Sequence, residues 1–147
     1  MNKFKFPLDR VRHFRKLQLE QEQAKLEACH TRLREIDSRE AELRRTEMEA
    51  SRQVQVASSI AEHEGYESHR DWAGRAHHQF ARLRAEAQAS IQRQQAEVTV
   101  ARQRYEMLER CRERAQDHWR DEYFKEQEAL SSELFLARLG QGPKLKR

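Results

Sequence analysis

Proline and glycine are scarce in this chain: two prolines and four glycines in 147 residues. Pro7 stands near the start, Gly65 and Gly74 near the middle, and Gly140, Gly142 and Pro143 near the end. Two runs of more than fifty residues between them contain neither. Gly costs a helix interior roughly 1 kcal/mol and Pro roughly 3 relative to Ala, so the pattern reads as helix, gap, helix. Aromatic residues are also few, at 7%, and the apolar fraction is only 37%. A compact multilayer core would lack side chains to fill it, whereas a narrow seam between two helices needs far fewer. Cysteine is limited to Cys29 and Cys111, too few for a disulfide scaffold. No run approaches the ~18 apolar residues of a membrane span. The opening Met1–Leu8 has no apolar h-region or cleavage site, so a cytoplasmic protein is expected.

What is abundant is charge, at 37% of residues, with 29 basic and 25 acidic side chains interspersed. Such mixing suits solvated helix faces better than nucleic acid, which would call for a basic stripe with few acids. Ala, Gln, Glu and Arg dominate where a disordered chain would carry Pro, Gly and Ser. Only Lys144, Lys146 and Arg147 form a purely basic cluster, a weak signal for an anionic surface.

Apolar spacing sets the expected fold class: all-α, two long helices in an antiparallel coiled-coil hairpin. Leu19, Leu26 and Leu33 alternate with Cys29, Ile36, Leu43, Ala50 and Ala57 at three-and-four intervals, the seam of a coiled coil. Glu40 and Glu47 interrupt it before Val54 and Ala61 resume. In the second run, Ile91, Val98, Tyr105, Arg112 and Trp119 alternate with Ala87, Gln94, Ala101, Leu108 and Ala115. Leu8, Val11, Phe14 and Leu17 fall outside the first register. The expected boundaries are helix one about 8–63, turn about 64–70, helix two about 71–138 and a basic tail 139–147. Gly65 would close the first helix and Ser68 with Asp71 would cap the second. Each helix would run roughly 80–100 Å. Paired residue numbers would sum to about 135–141, bringing Cys29 level with Cys111 as two reduced thiols. A single kinked helix is the alternative.

Catalysis is not expected. There is no phosphate-binding Gly-rich loop or nucleophile elbow, and a two-helix seam offers no concave pocket to tune carboxylates. His63, His69, His77 and His78 gather near the expected turn, but His77 and His78 diverge by roughly 100° on a helix and no cysteine completes a ligand set. No catalytic residue, metal or cofactor is therefore assigned, and the chain should act by contact. The residues that the seam leaves over are Phe4, Phe6, Leu8, Val11, Phe14 and Leu17 at the start, and Tyr123, Phe124, Leu130, Leu134, Phe135, Leu136 and Leu139 near the end. A hairpin brings both groups to its open end, as a plug between the arms, an anchor for a partner, or both. Tyr66, Trp72, Phe80 and Leu83 offer a second contact site near the turn.

The opening Phe4-Lys-Phe-Pro-Leu-Asp-Arg-Val11 resembles the F-x-F-x-L-x-x-V/L start of the flagellar export protein FliJ family, part of the type III secretion stalk proteins. Tyr105-Glu-Met-Leu-Glu-Arg-Cys-Arg-Glu-Arg114 resembles that family's late LE-L-x-x-R stretch, and the resemblance covers nearly the whole chain. One departure is plain: Glu126-Gln-Glu-Ala-Leu-Ser-Ser-Glu133 stands where many members carry an Asp-Glu pair. The resemblance implies a stalk that binds a hexameric export ATPase, promotes its assembly or activity, and couples it to a membrane export gate. It also implies binding of export chaperones, and a cytoplasmic location peripheral to the inner membrane. Phe4, Phe6, Leu8 and Val11 are the positions implied for the ATPase, Phe135 and Leu136 join them as apolar residues of the same open end, and Phe80 and Leu83 are those implied for the gate. A monomer is expected for the free protein. The alternatives are a general coiled-coil scaffold or dimerisation protein without an ATPase partner and, behind it, an Arg-rich nucleic-acid binder.

Overall fold

The chain is all-α, and in the computed structural model, which describes residues 3–56 and 58–140, two long helices pack against each other as an antiparallel hairpin. Helix α1 runs Asp9–Gln55 and α2 runs Ile60–Gly140. Their lengths, 47 and 81 residues, are far from equal. The chain therefore reverses between Gln55 and Ile60, ahead of the expected turn at 64–70, and Gly65 and Gly74 lie inside α2. Expected caps Ser68 and Asp71 lie inside it too, and Ala61, placed on the first seam, belongs to the second helix. Ala57 lies outside the described residues, as do Lys144, Lys146 and Arg147 of the tail. The helix itself continues through Leu139 and Gly140.

A reciprocal cap explains the position. Glu62 N–H donates to Ser59 Oγ at 3.2 Å, and the Glu62 carboxylate accepts from the backbone of Ser58 at 3.1 Å and Ser59 at 3.2 Å. Ser-x-x-Glu thus satisfies donors that the first turn of α2 leaves without helical partners. The carboxylate also sits favourably at the positive end of the helix, and its hydrogen bonds to Ser59 and then Ser58 hold its pKa below the usual value. Neither glycine is needed for a turn: no described glycine has positive φ, and a Cβ at Gly65 or Gly74 would meet nothing within 4 Å.

Two compact units make up the hairpin. Unit 1 comprises Met1–Leu17 and Arg102–Arg147, and unit 2 comprises Gln18–Ala101. In unit 2 the buried side chains are Ile36, Glu40 and Leu43 from α1 and Ala73, Ala87, Ile91 and Val98 from α2. Leu19, Leu26, Cys29, Leu33, Glu47, Ala50 and Val54 are half-buried on the same stripe of α1, so the seam expected there is the one observed. All fully buried residues among those described belong to this unit. In unit 1, Ala115, Leu108, Tyr105, Arg112 and Trp119 are half-buried along α2, again at the expected seam positions.

The pairing across the seam differs from expectation because the reversal comes earlier. In unit 2, Arg84 meets Asp37 and Glu40, and Gln94 meets Glu22. The expected register would have set position 84 opposite the fifties. In unit 1, Arg12 meets Glu109 and Phe4 meets Trp119. Position 29 is accordingly level with the low nineties in its own unit, and the two cysteines are free thiols.

Two substitutions read out the turn. Gly65→Ala and Gly74→Ala should each stabilise the protein by about 0.5–1 kcal/mol in thermal or urea unfolding, because both positions are open helix interior. A destabilising Gly65→Ala would place that residue back in a turn. Ser59→Ala should cost about 1 kcal/mol and speed amide exchange at the start of α2.

Candidate partner-binding surface

Unit 2 buries a charged side chain at its seam. Glu40, 7% exposed, is buried at a seam position. Its carboxylate accepts from Arg84, which also donates from Nε to Asp37 at 2.9 Å, and from Arg44 at 3.0 Å. His77 lies between two carboxylates, with Nε2 2.7 Å from Glu47 and Nδ1 3.5 Å from Glu40. The Arg84 hydrogen bond, aided by the charges of Arg44 and Arg84, holds the Glu40 carboxyl below its usual pKa. A carboxylate out of water needs such partners, because its desolvation is costly without them.

Beside this network the two helices form an open groove. Leu43 and Thr46 of α1 and Trp72, Ala76 and Phe80 of α2 line it, with Arg39 and Arg75 at its rim. Trp72 is 52% exposed, and its ring lies 5.5 Å from that of His69. Of the two residues implied for an export gate, Phe80 lines the groove, and Leu83 is half-buried one turn further on.

Unit 1 is arranged the other way. Its seam contains Arg12, Arg15, Glu109 and Arg112, all half-buried. Arg12 donates to Glu109 at 2.7 Å and to Asp9 at 2.9 Å. Glu109 is held below its usual pKa by Arg12 and then by Tyr105, whose own pKa rises through the same contact. The apolar side chains face out instead: Leu8, Val11, Phe14 and Leu17 are 44–55% exposed. These four do not fit the seam register, and arginine occupies the inward positions at 12 and 15.

Aromatic residues close the packed part of this unit. Phe4 lies 6.1 Å from Trp119, which stacks on Tyr123 at 5.6 Å. Phe6 is half-buried and borders a shallow pocket with Phe4, Arg10 and Arg112. Beyond Tyr123, every described residue of α2 is exposed. Phe124, Leu130, Leu134, Phe135, Leu136 and Leu139 are each more than half exposed. Among the described residues, the two apolar groups expected to plug the open end meet through Phe4, Trp119 and Tyr123. Phe4 is level with Trp119, so α2 from Phe124 onward has no described stretch of α1 opposite it.

The residues implied for the ATPase thus divide. Phe4 and Phe6 are half-buried in the aromatic contact, whereas Leu8, Val11, Phe135 and Leu136 lie outward. Comparison with protein-family models, curated proteins and solved structures finds no match to this chain. Among the described residues, no helix is long and apolar enough to cross a membrane.

Reading the residues alone missed both ion-pair networks. Glu40 and Glu47 stood out as acids on an apolar stripe, which is a signal that cations face them. Naming Arg84 and His77 requires the register, and the register requires the turn.

The lowered carboxyls give a pH dependence of definite sign. A depressed folded-state pKa contributes stability above the ordinary value of 4.5 and loses it as pH falls through the lowered value. The melting temperature should therefore drop as pH falls below 4.5. Glu40→Gln should melt lower at pH 7 and show a shallower acid dependence. An unchanged acid slope in that variant would remove Glu40 from the account.

Proposed function

We propose that this chain is a non-enzymatic stalk component of a flagellar or type III protein export apparatus. It binds the hexameric export ATPase through unit 1, promotes the assembly or activity of the ring, and couples it to the export gate. The observation that carries the reading is the inverted arrangement of unit 1, with ion pairs along its seam and large apolar side chains turned outward. Isolated exposed apolar residues are ordinary on a protein surface, but a contiguous set marks a contact surface. The resemblance of Phe4–Val11 and Tyr105–Arg114 to the export family adds the identity of the partner, and both segments belong to unit 1.

Within this reading the contact residues sort by exposure. Leu8, Val11, Phe135 and Leu136 meet the ring directly, while Phe4 and Phe6 hold the start of the chain against Trp119. The groove with Phe80 and Trp72 in unit 2, together with Leu83, takes the export gate. The protein is held at the inner membrane by that contact. Export chaperones would use the same exposed helix faces.

Co-purification with the ATPase and measurement of its turnover test the proposal. Phe135→Ala with Leu136→Ala should weaken ring binding by about tenfold or more, as expected where buried aromatic and aliphatic anchors carry an interface, and leave helicity and melting unchanged. Phe4→Ala should lower the melting temperature as well as binding. Full ring binding by the Phe135/Leu136 variant would remove that segment from the contact. Absence of any ATPase binding by the unaltered chain would leave the scaffold alternative.

A further inference from the structure

Charge is divided between the two units, and again between the two sides of unit 1. Unit 2 carries twelve bases and fifteen acids, whereas residues 3–17 and 102–120 of unit 1 carry twelve bases and only five acids. Those five, Asp9, Glu106, Glu109, Glu113 and Asp117, share one side of the unit, which the Arg12–Glu109 pair marks. At 3.6 residues per turn, Glu106, Glu113 and Asp117 lie within a quarter turn of Glu109 around α2, and Asp9 is held by Arg12. The other side of the seam is different. There α1 places Arg10, Val11, Phe14 and Leu17, and α2 places Arg104, Met107 and Arg114, with no acid among the helix positions between them. Met107 is 61% exposed, more than the three apolar residues of α1. Arg10, Arg104 and Arg114 have no ion-pair partner among the described residues.

We propose that this acid-free side of unit 1 docks on the surface of an anionic lipid bilayer. Val11, Phe14, Leu17 and Met107 enter the boundary between headgroups and acyl chains, and the arginines meet lipid phosphates. The layout around the two helices suits that medium. Arg10 and Arg114 stand at the outer margins of α1 and α2, farthest from the seam, with the apolar side chains between them and the seam or beside them. Long basic side chains at such margins turn their charged heads up to the headgroups while their stems cover apolar surface. Nucleic acid would pair with the arginines but would leave four large apolar side chains against phosphates, where they gain nothing. The acids on the far side, turned toward water, set which way the rod lies. This contact goes beyond the stalk reading and requires no other protein. It shares Val11 with the surface proposed for the ATPase, so ring and bilayer exclude each other there.

The exposed thiol of Cys111 falls on the same side as Met107 and Arg114 and serves as the probe. With Cys29→Ser in the full chain, a polarity-sensitive dye on Cys111 should shift to the blue when vesicles of phosphatidylcholine with about 30% phosphatidylglycerol are added. Vesicles of phosphatidylcholine alone should bind at least about tenfold more weakly, and about 0.5 M salt should release the protein from the anionic ones. The same dye on Glu113→Cys, with both native cysteines replaced by serine, reports the acidic side and should not shift. Arg10→Glu with Arg114→Glu should weaken vesicle binding at least about tenfold, with helicity by circular dichroism unchanged. Phe14→Ser with Met107→Ser should weaken it too and remove the blue shift. Lack of binding to the anionic vesicles overturns the proposal and leaves this side for an acidic protein. Equal binding to both kinds of vesicle, indifference to the arginine reversals, or an equal shift at position 113 overturns it as well. None of these outcomes involves the ATPase, so the proposed function stands or falls separately.

Discussion

An antiparallel partner can cover a helix only as far as the shorter arm reaches, and the point of reversal decides what remains uncovered. Here the reversal lies between Gln55 and Ile60, joining helices of 47 and 81 residues. Ser59 and Glu62 hold it there by capping each other's backbone donors. Had the chain turned at Gly65, the arms would have been closer to equal and the late apolar residues would have faced the early ones. The earlier turn leaves Phe124–Leu139 without a described partner. A local hydrogen-bond exchange of a few atoms thus determines which side chains are left for contact.

The two units use the shared seam differently. Unit 2 buries Ile36, Leu43, Ile91 and Val98 and tolerates Glu40 only because Arg84, Arg44 and His77 surround it. Buried charge of this kind contributes little net stability but penalises pairings that would strand it. A slip of the helices in unit 2 would leave Glu40 facing apolar Ile91 or Ala87 without Arg84. Unit 1 has no fully buried residue among those described, and ion pairs and ring contacts carry its packing. Such a unit is held together weakly compared with its neighbour in sequence, and it keeps its apolar area for contact outside the chain.

Much of this was legible in the residues. The three-and-four spacing of Leu19, Leu26, Leu33, Ile36 and Leu43, and of Ile91, Val98, Tyr105 and Trp119, identified the stripes that pack. The misfit of Leu8, Val11, Phe14 and Leu17 was also visible, and these four turn outward. Gly65 and Gly74 point to a turn at 64–70, but the Ser59-x-x-Glu62 cap fixes it earlier. A helix of 81 residues absorbs two glycines at roughly 1 kcal/mol each when a good cap and a long packed stripe favour continuing. The earlier turn moves Cys29 and Cys111 off a common level, and it leaves the helix face beyond Tyr123 exposed among the described residues in place of a plug between the arms. Phe135 and Leu136 were singled out correctly as apolar residues the seam does not use, but their isolation from Phe6 and Leu8 could not be read without the reversal point.

The central claim is the register that follows from reversal between Gln55 and Ile60, and crosslinking in unit 2 tests it most directly. With Cys29 and Cys111 replaced by serine, a short bis-maleimide should join Glu47→Cys to His77→Cys rapidly within one chain. The same reagent should leave Glu47→Cys with Ile91→Cys unjoined. Efficient joining of the second pair and failure of the first would put the turn near Gly65 and contradict the account.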